Sequence, residues 1–183
     1  MREEKKIQDY KVIFDSPRAS IYNNANECIA EFSLSENFRV KNIHKTFVVV
    51  ENTENALLGV YDFSGNVVVP VEFNHIVFYD LGIVVKRDSY SGLYSYSGSV
   101  LIPVTHSVVA PCFYTNSNKV VVADEVKNNN NPQSNLVSGV YSISGDSSEL
   151  IVPIEFHKVV ITLSGLIKTQ KEEDDIFEGY DLA

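Results

Sequence analysis

Four histidines, His44, His75, His106 and His157, are the side chains best suited to hold a metal or pass a proton. A zinc or hydrolytic site usually shows short-range spacing, because two imidazoles must reach one ion from neighbouring turns of backbone. No H-x-x-x-H or HExxH occurs, and counted from the preceding proline His75 falls at +5, His106 at +3 and His157 at +4. They share no common position, so we read them as surface or partly buried residues. Glu72 and Glu155 occupy equivalent Val-Glu-Phe and Ile-Glu-Phe sites. Paired carboxylates do acid–base work only when they face each other a few ångströms apart. Alternation puts both on the solvent face of a strand. Serines precede glycines in several turns without a G-x-S-x-G elbow, and neither G-x-G-x-x-G nor a Walker sequence is present. The expectation is no enzyme, no metal and no cofactor.

One chemical group does recur in register. Tyr22, Tyr61, Tyr94 and Tyr141 each close a small-aliphatic-tyrosine phrase: Ser20-Ile21-Tyr22, Gly59-Val60-Tyr61, Gly92-Leu93-Tyr94 and Gly139-Val140-Tyr141. Aligned aromatics can make a stacking ladder for glycan rings or proline-rich peptides, or they can be the rungs of a repeated core. Repeats repeat their core, and we favour the second reading. Three copies run on through Ser-Gly to a Val-Pro or Ile-Pro at Pro70, Pro103 and Pro153. Self-similarity at this period marks a repeat architecture.

The elements that carry the phrase follow from its parts. The aliphatic-tyrosine pair is a first strand. The turn at Ser64-Gly65-Asn66 or Ser97-Gly98-Ser99 needs the positive φ that glycine supplies, giving a tight hairpin. Val67 to Phe73, Val100 to Pro103 and Leu150 to Phe156 form the second strand, and proline inside it, unable to donate to a ladder, predicts a bend. In the first copy Glu31 stands where proline would be, and in the fourth the tip Asp146-Ser147-Ser148-Glu149 reads as longer by three. The third strand is β-branched: Phe47 to Val50, Ile83 to Val85, Val120 to Val122, and more weakly Leu166-Ile167. No segment has a sustained 3.6-residue apolar stripe.

The expected fold is therefore all-β: about four tandem three-stranded antiparallel meanders forming an open, curled array, with a small four-bladed propeller as the alternative. The whole of residues 1–183 reads as a single repeat domain, with units near 19–57, 58–90, 91–137 and 138–178. Capping strands near 10–14 and 179–182 bring the expected total to fourteen strands.

Charge narrows the partners. With 15 basic and 24 acidic residues the net charge is −9, and no basic cluster is present, which argues against direct nucleic-acid binding. No apolar stretch is long enough for a membrane span. The charged N-terminus leads into no apolar run, so the reading is cytoplasmic, with Cys28 and Cys112 as reduced thiols. Two segments interrupt the repeats and are the candidate partner-binding sites. One is the 126–138 insertion with Asn128, Asn129, Asn130 and Asn131; the other is the acidic C-terminal stretch with Glu172, Glu173, Asp174 and Asp175.

The unit G-(V/L)-Y-(D/S)-x-S-G-x-x-(V/L)-(V/I)-P-(V/I)-E-F, best represented by Gly59 to Phe73, resembles the WG repeat over about residues 19–170. The chain contains no tryptophan, and Leu58, Ser91 and Ser138 precede the glycines in place of the residue that names the family. The resemblance implies a binding or scaffolding array without shared catalytic residues. The leading expectation is a non-enzymatic protein-binding module with a protein partner. Two alternatives stand beside it. A small acidic inhibitor could block the basic nucleic-acid-binding groove of its partner, in the manner of phage counter-defence proteins, and a carbohydrate-binding array could use the tyrosines.

Overall fold

The computed structural model describes residues 2–112, 117–126, 135–172 and 175–180. Among these the chain is strands and turns, with no helix. No helix long and apolar enough to cross a membrane is present among them.

Five antiparallel meanders follow one another. The first sheet holds β1 (Arg2–Ile7), β2 (Tyr10–Asp15), β3 (Arg18–Tyr22) and β4 (Cys28–Ser33). The second holds β5 (Phe38–His44), β6 (Phe47–Asn52), β7 (Leu58–Asp62) and β8 (Val67–Phe73). The third holds β9 (His75–Tyr79), β10 (Gly82–Arg87), β11 (Tyr90–Tyr94) and β12 (Val100–His106). The fourth holds β13 (Val108–Pro111), β14 (Lys119–Val126), β15 (Asn135–Ser144) and β16 (Ser147–Phe156). The fifth has three strands, β17 (Lys158–Ile161), β18 (Ile167–Gln170) and β19 (Glu178–Gly179). In every sheet each strand pairs with its chain neighbours, and β1 and β19 belong to different sheets.

The all-β class and the tandem antiparallel meander are as the sequence implies. Four of the five sheets carry one strand more than the three expected, and nineteen strands replace fourteen among the described residues. The additional strands are β1, β5, β9, β13 and β17. Of these, β9, β13 and β17 are short, and β9 and β17 mix exposed and half-buried residues with no fully buried position. Their place is set by the apolar strand beside them, as Val108 to Pro111 pair with Ala123 to Val120. The strand at Tyr10–Phe14 is the second of a complete sheet, and the one at Gly179 is the edge of the fifth.

The recurring glycine and proline are two halves of one irregularity. On β7 and β8, Leu58 faces Phe73 and Val60 faces Val69, so Gly59 alone opposes Pro70, Val71 and Glu72. Gly92 opposes Pro103 to Thr105 in the third sheet, and Gly139 opposes Pro153 to Glu155 in the fourth. The bulge brings its backbone onto the glycine: a Cβ on Gly59, Gly92 or Gly139 would lie 2.7, 2.7 or 2.6 Å from a backbone oxygen. Real side chains do not approach so closely. Where glycine and proline are both missing, so is this bulge, for Ser20 pairs directly with Glu31. Ser20 Oγ donates to Glu31 Oε2 at 3.3 Å, and Arg18 pairs with the other carboxylate oxygen. A second, smaller bulge precedes the tyrosine in all four copies, opposite Ile29, Val68, Leu101 and Ile151.

The turns repeat a capping device. Asp62 Oδ1 accepts from the Asn66 amide at 2.8 Å, Asn23 Oδ1 from Glu27 at 3.0 Å, and Ser95 Oγ from Ser99 at 3.1 Å. Thr162 Oγ1 does the same for Leu166 at 3.1 Å, marking a turn of this kind that the tyrosine phrase does not announce because Ile161 holds the tyrosine's place. The fourth hairpin is different. Ser144 pairs with Ser147 across a two-residue Gly145-Asp146 turn, so Ser147, Ser148 and Glu149, expected in its tip, instead belong to β16 and pair with Ser144, Ile143 and Ser142 of β15.

The chain packs as two compact units, residues 1–78 with 96–98, and residues 79–95 with 99–183. The first is centred on Ile21, Ile43, Val48 and Val50, each 1% exposed or less. The second has a cluster around Leu93, Ile102, Val120 and Val122, and another around Val140, Val152 and Ile167. All of these but Leu93 are β-branched, and such side chains fit pleated, close-spaced surfaces.

Candidate functional site

A groove of about 750 Å³ opens in the second unit. Its walls come from segments far apart in sequence: Lys86 of β10, Ser89 at the next turn, Tyr90 of β11, Thr105 of β12, Val108 of β13, and Asp124 and Glu125 of β14. The meander explains their meeting. Glu125 faces Leu136 across the β14–β15 ladder, and Val108 faces Ala123 across β13–β14.

The groove combines two chemistries. Tyr90, Val108 and Leu136 line it while 53%, 42% and 44% exposed, and Val126, next to Glu125, is 44% exposed. Isolated exposed apolar residues are ordinary on a protein surface, but several at one concavity mark an interaction site. Between them stands a carboxylate held at both oxygens. His106 Nδ1 lies 2.9 Å from Asp124 Oδ2, and the Ser107 amide donates to Asp124 Oδ1 at 3.1 Å. An ionised carboxylate only accepts, so Nδ1 carries the hydrogen. His106 is itself fixed, 7% exposed, with the Tyr141 ring edge-on at 6.0 Å. Ser107 Oγ accepts from the Glu125 amide at 3.3 Å, leaving its own hydrogen to donate. A serine nucleophile needs a general base on its hydroxyl, and the bond given for Ser107 Oγ is to the Glu125 amide. The His106–Asp124 pair instead presents a fixed carboxylate to the groove.

The residues singled out from sequence are placed differently. Asn128, Asn129, Asn130 and Asn131, with Glu173 and Asp174, lie outside the described residues. The flanks of the asparagine segment, Val126 and Asn135, are paired to each other. Glu172 and Asp175 bind one another: the Glu172 amide donates to Asp175 Oδ2 at 3.0 Å, and Gln170 Nε2 donates to the Asp175 carbonyl at 2.8 Å. Asp175 thus closes its own turn, and neither acid lines the groove. The groove takes Asp124 and Glu125 from just before the 126–138 insertion and Leu136 from within it. That acidic pair ending an apolar strand was the available signal.

The tyrosines are built into the framework. Tyr94 is 8% exposed, and half-buried Tyr61 stacks on Phe32 at 6.5 Å, its hydroxyl pushed up by burial. Tyr141 packs on the second unit's core, and Tyr22 lies under the Lys11 ammonium at 4.8 Å. A separate group of half-buried rings sits in the first unit, where His44 stacks on Phe78 at 4.3 Å and Phe47 on Tyr96 at 5.1 Å. Cys28 is exposed and Cys112 half-buried, both as free thiols, with burial raising the Cys112 pKa against the opposing pull of Lys119. Among the described residues no three His, Cys, Asp or Glu side chains are grouped to hold a metal ion. Glu72 is half-buried in β8 and Glu155 exposed in β16.

No known family model matches the chain, and no curated protein matches its sequence. Among solved structures, Kluyveromyces lactis Hsv2 is similar with a TM-score of 0.34 and 10% identity, covering 97% of this chain and 63% of its own. The chain therefore spans less than two thirds of that protein's length.

Proposed function

We propose that this chain is a non-enzymatic protein-binding module and that the groove of the second unit receives an extended segment of its partner. The observation that carries the reading is the coincidence, in one concavity, of exposed Tyr90, Val108 and Leu136 with a carboxylate fixed at both oxygens. Recognition sites commonly pair apolar walls with a few oriented polar groups. The repeats supply rigidity: the bulges and capped turns hold the groove-lining segments at fixed register, which lowers the ordering cost of binding. The tyrosine phrase belongs to this framework, which favours protein recognition over a glycan ladder.

Site-specific photo-crosslinking tests it. A benzophenone side chain placed at Tyr90 or Leu136 is expected to capture one protein from extracts of the native host, and the same probe at exposed Lys41 of the first unit is not. Absence of an adduct from both groove positions, or the same adduct from Lys41, would overturn the reading.

A further inference from the structure

Resting on that reading, we infer that the groove selects a basic segment, seating a lysine or arginine head group on Asp124 between aliphatic neighbours, with Glu125 adding negative charge to the same lining, and that His106 is the positioning residue for this contact. The lining carries two carboxylates, Asp124 and Glu125, against one cation, Lys86, so an incoming positive charge is favoured locally. The net charge of −9 adds a long-range attraction of the same sign.

The fixed geometry makes the preference specific. Each Asp124 oxygen already accepts one bond from the protein, from His106 Nδ1 and from the Ser107 amide, and each retains acceptor capacity. A carboxylate held in this way offers the planar edge that a guanidinium fork engages with two parallel bonds. Ser107 Oγ, occupied as acceptor by the Glu125 amide, presents a hydrogen to a backbone carbonyl of the occupant. Tyr90 gives an exposed ring face for the cation or its methylene stem. Val108 and Leu136 accept aliphatic side chains, and in an extended segment such side chains recur on one face roughly every 7 Å. A saccharide would use the carboxylates and Tyr90 but gain nothing from Val108 and Leu136. An acidic segment would meet two like charges.

His106 acts through Asp124. It is 7% exposed and does not line the groove, so it touches no occupant; its bond sets the direction of the carboxylate.

The test is selection of a displayed random peptide library on the immobilised full chain at low salt, followed by anisotropy measurements on synthetic copies of the enriched peptides. Enriched sequences are expected to carry lysine or arginine flanked by aliphatic residues. Replacing arginine by neutral citrulline is expected to weaken binding about tenfold, the size of one charge-assisted hydrogen bond. Glu125→Gln, Asp124→Asn and His106→Phe should each weaken the basic peptide while leaving the citrulline peptide unchanged, and His106→Asn, which restores a donor near Nδ1, should recover part of the loss. A merely structural histidine would instead weaken both peptides alike. Neutral or acidic enriched peptides that bind the parent but not Tyr90→Ala would overturn the basic preference and leave the groove reading standing. Enriched peptides indifferent to both Tyr90→Ala and Leu136→Ser, or no enrichment at all, would remove the groove reading and the inference together.

Discussion

Asp62 shows how much one side chain can fix in this protein. Its Oδ1 accepts from the Ser64 and Asn66 amides at 2.9 and 2.8 Å, and its Oδ2 accepts from the Asn66 side chain at 2.8 Å. Burial works to raise this carboxyl, but the bonds from Asn66, Ser64 and Gly65 outweigh it and hold it below its ordinary range. Asn23, Ser95 and Thr162 make the equivalent bond through a side-chain oxygen that does not titrate. With the folded value depressed, folding favours the ionised form. Its contribution is complete above about pH 4, the unfolded carboxylate value, and is lost as pH falls through the depressed one. Asp62→Asn should therefore be less stable than the parent in denaturant at neutral pH, with the gap closing in acid. A gap that stays constant, or widens at low pH, would contradict this origin. The groove illustrates the opposite limit of legibility at the same scale. Asp124 and His106 look unremarkable in sequence, since 18 positions separate them and only strand pairing brings them to hydrogen-bonding distance.

At the level of strands, glycine and proline form a coupled pair. Serine stands at position 20 in the first sheet because the facing strand runs regularly past it, yet the same residue at position 59 would drive its Cβ into the Val69 carbonyl. Gly59→Ser is therefore expected to cost about 2 kcal/mol, typical of forced overpacking. It would be read as a lowered denaturant midpoint at unchanged slope, and a loss of only a few tenths would show that the bulge relaxes easily. The proline half was legible from one chain as a bend in the second strand, because proline recurs there at Pro70, Pro103 and Pro153; its pairing with the glycine was not, because only the strand register sets the two opposite each other. Strands β9, β13 and β17 were not legible, because a single residue separates each from the strand before it, and the two read as one run. His75-Ile76-Val77-Phe78-Tyr79 mixes exposed and half-buried positions, and its pairing is dictated by the apolar strand alongside. The fourth hairpin tip was misjudged for a related reason: a longer interval between glycine and proline fits a longer loop or longer strands equally well, and Ser147 and Ser148 gave no sign of pairing with Ser144 and Ile143.

For the molecule as a whole, excess negative charge is the dominant long-range term. Fifteen basic against 24 acidic residues repel more than they attract. Salt should accordingly stabilise the fold, raising the unfolding temperature by about 2 °C between low and physiological ionic strength. A fall over that range would mean that local ion pairs outweigh the net field. The groove belongs to this scale too, for it exists only when residues from positions 86 to 136 are assembled. The paired bulges also govern which changes of chain length the protein can inherit. From Leu58 to Tyr61 the chain takes four residues, while the facing stretch from Phe73 back to Val67 takes seven. A single-codon deletion between Val67 and Phe73 would invert the inward and outward faces of everything beyond it. Codons gained at a turn leave that parity intact. Length variation among descendants of this chain should therefore collect in the turns, and the three-residue surplus within β8, β12 and β16 should persist.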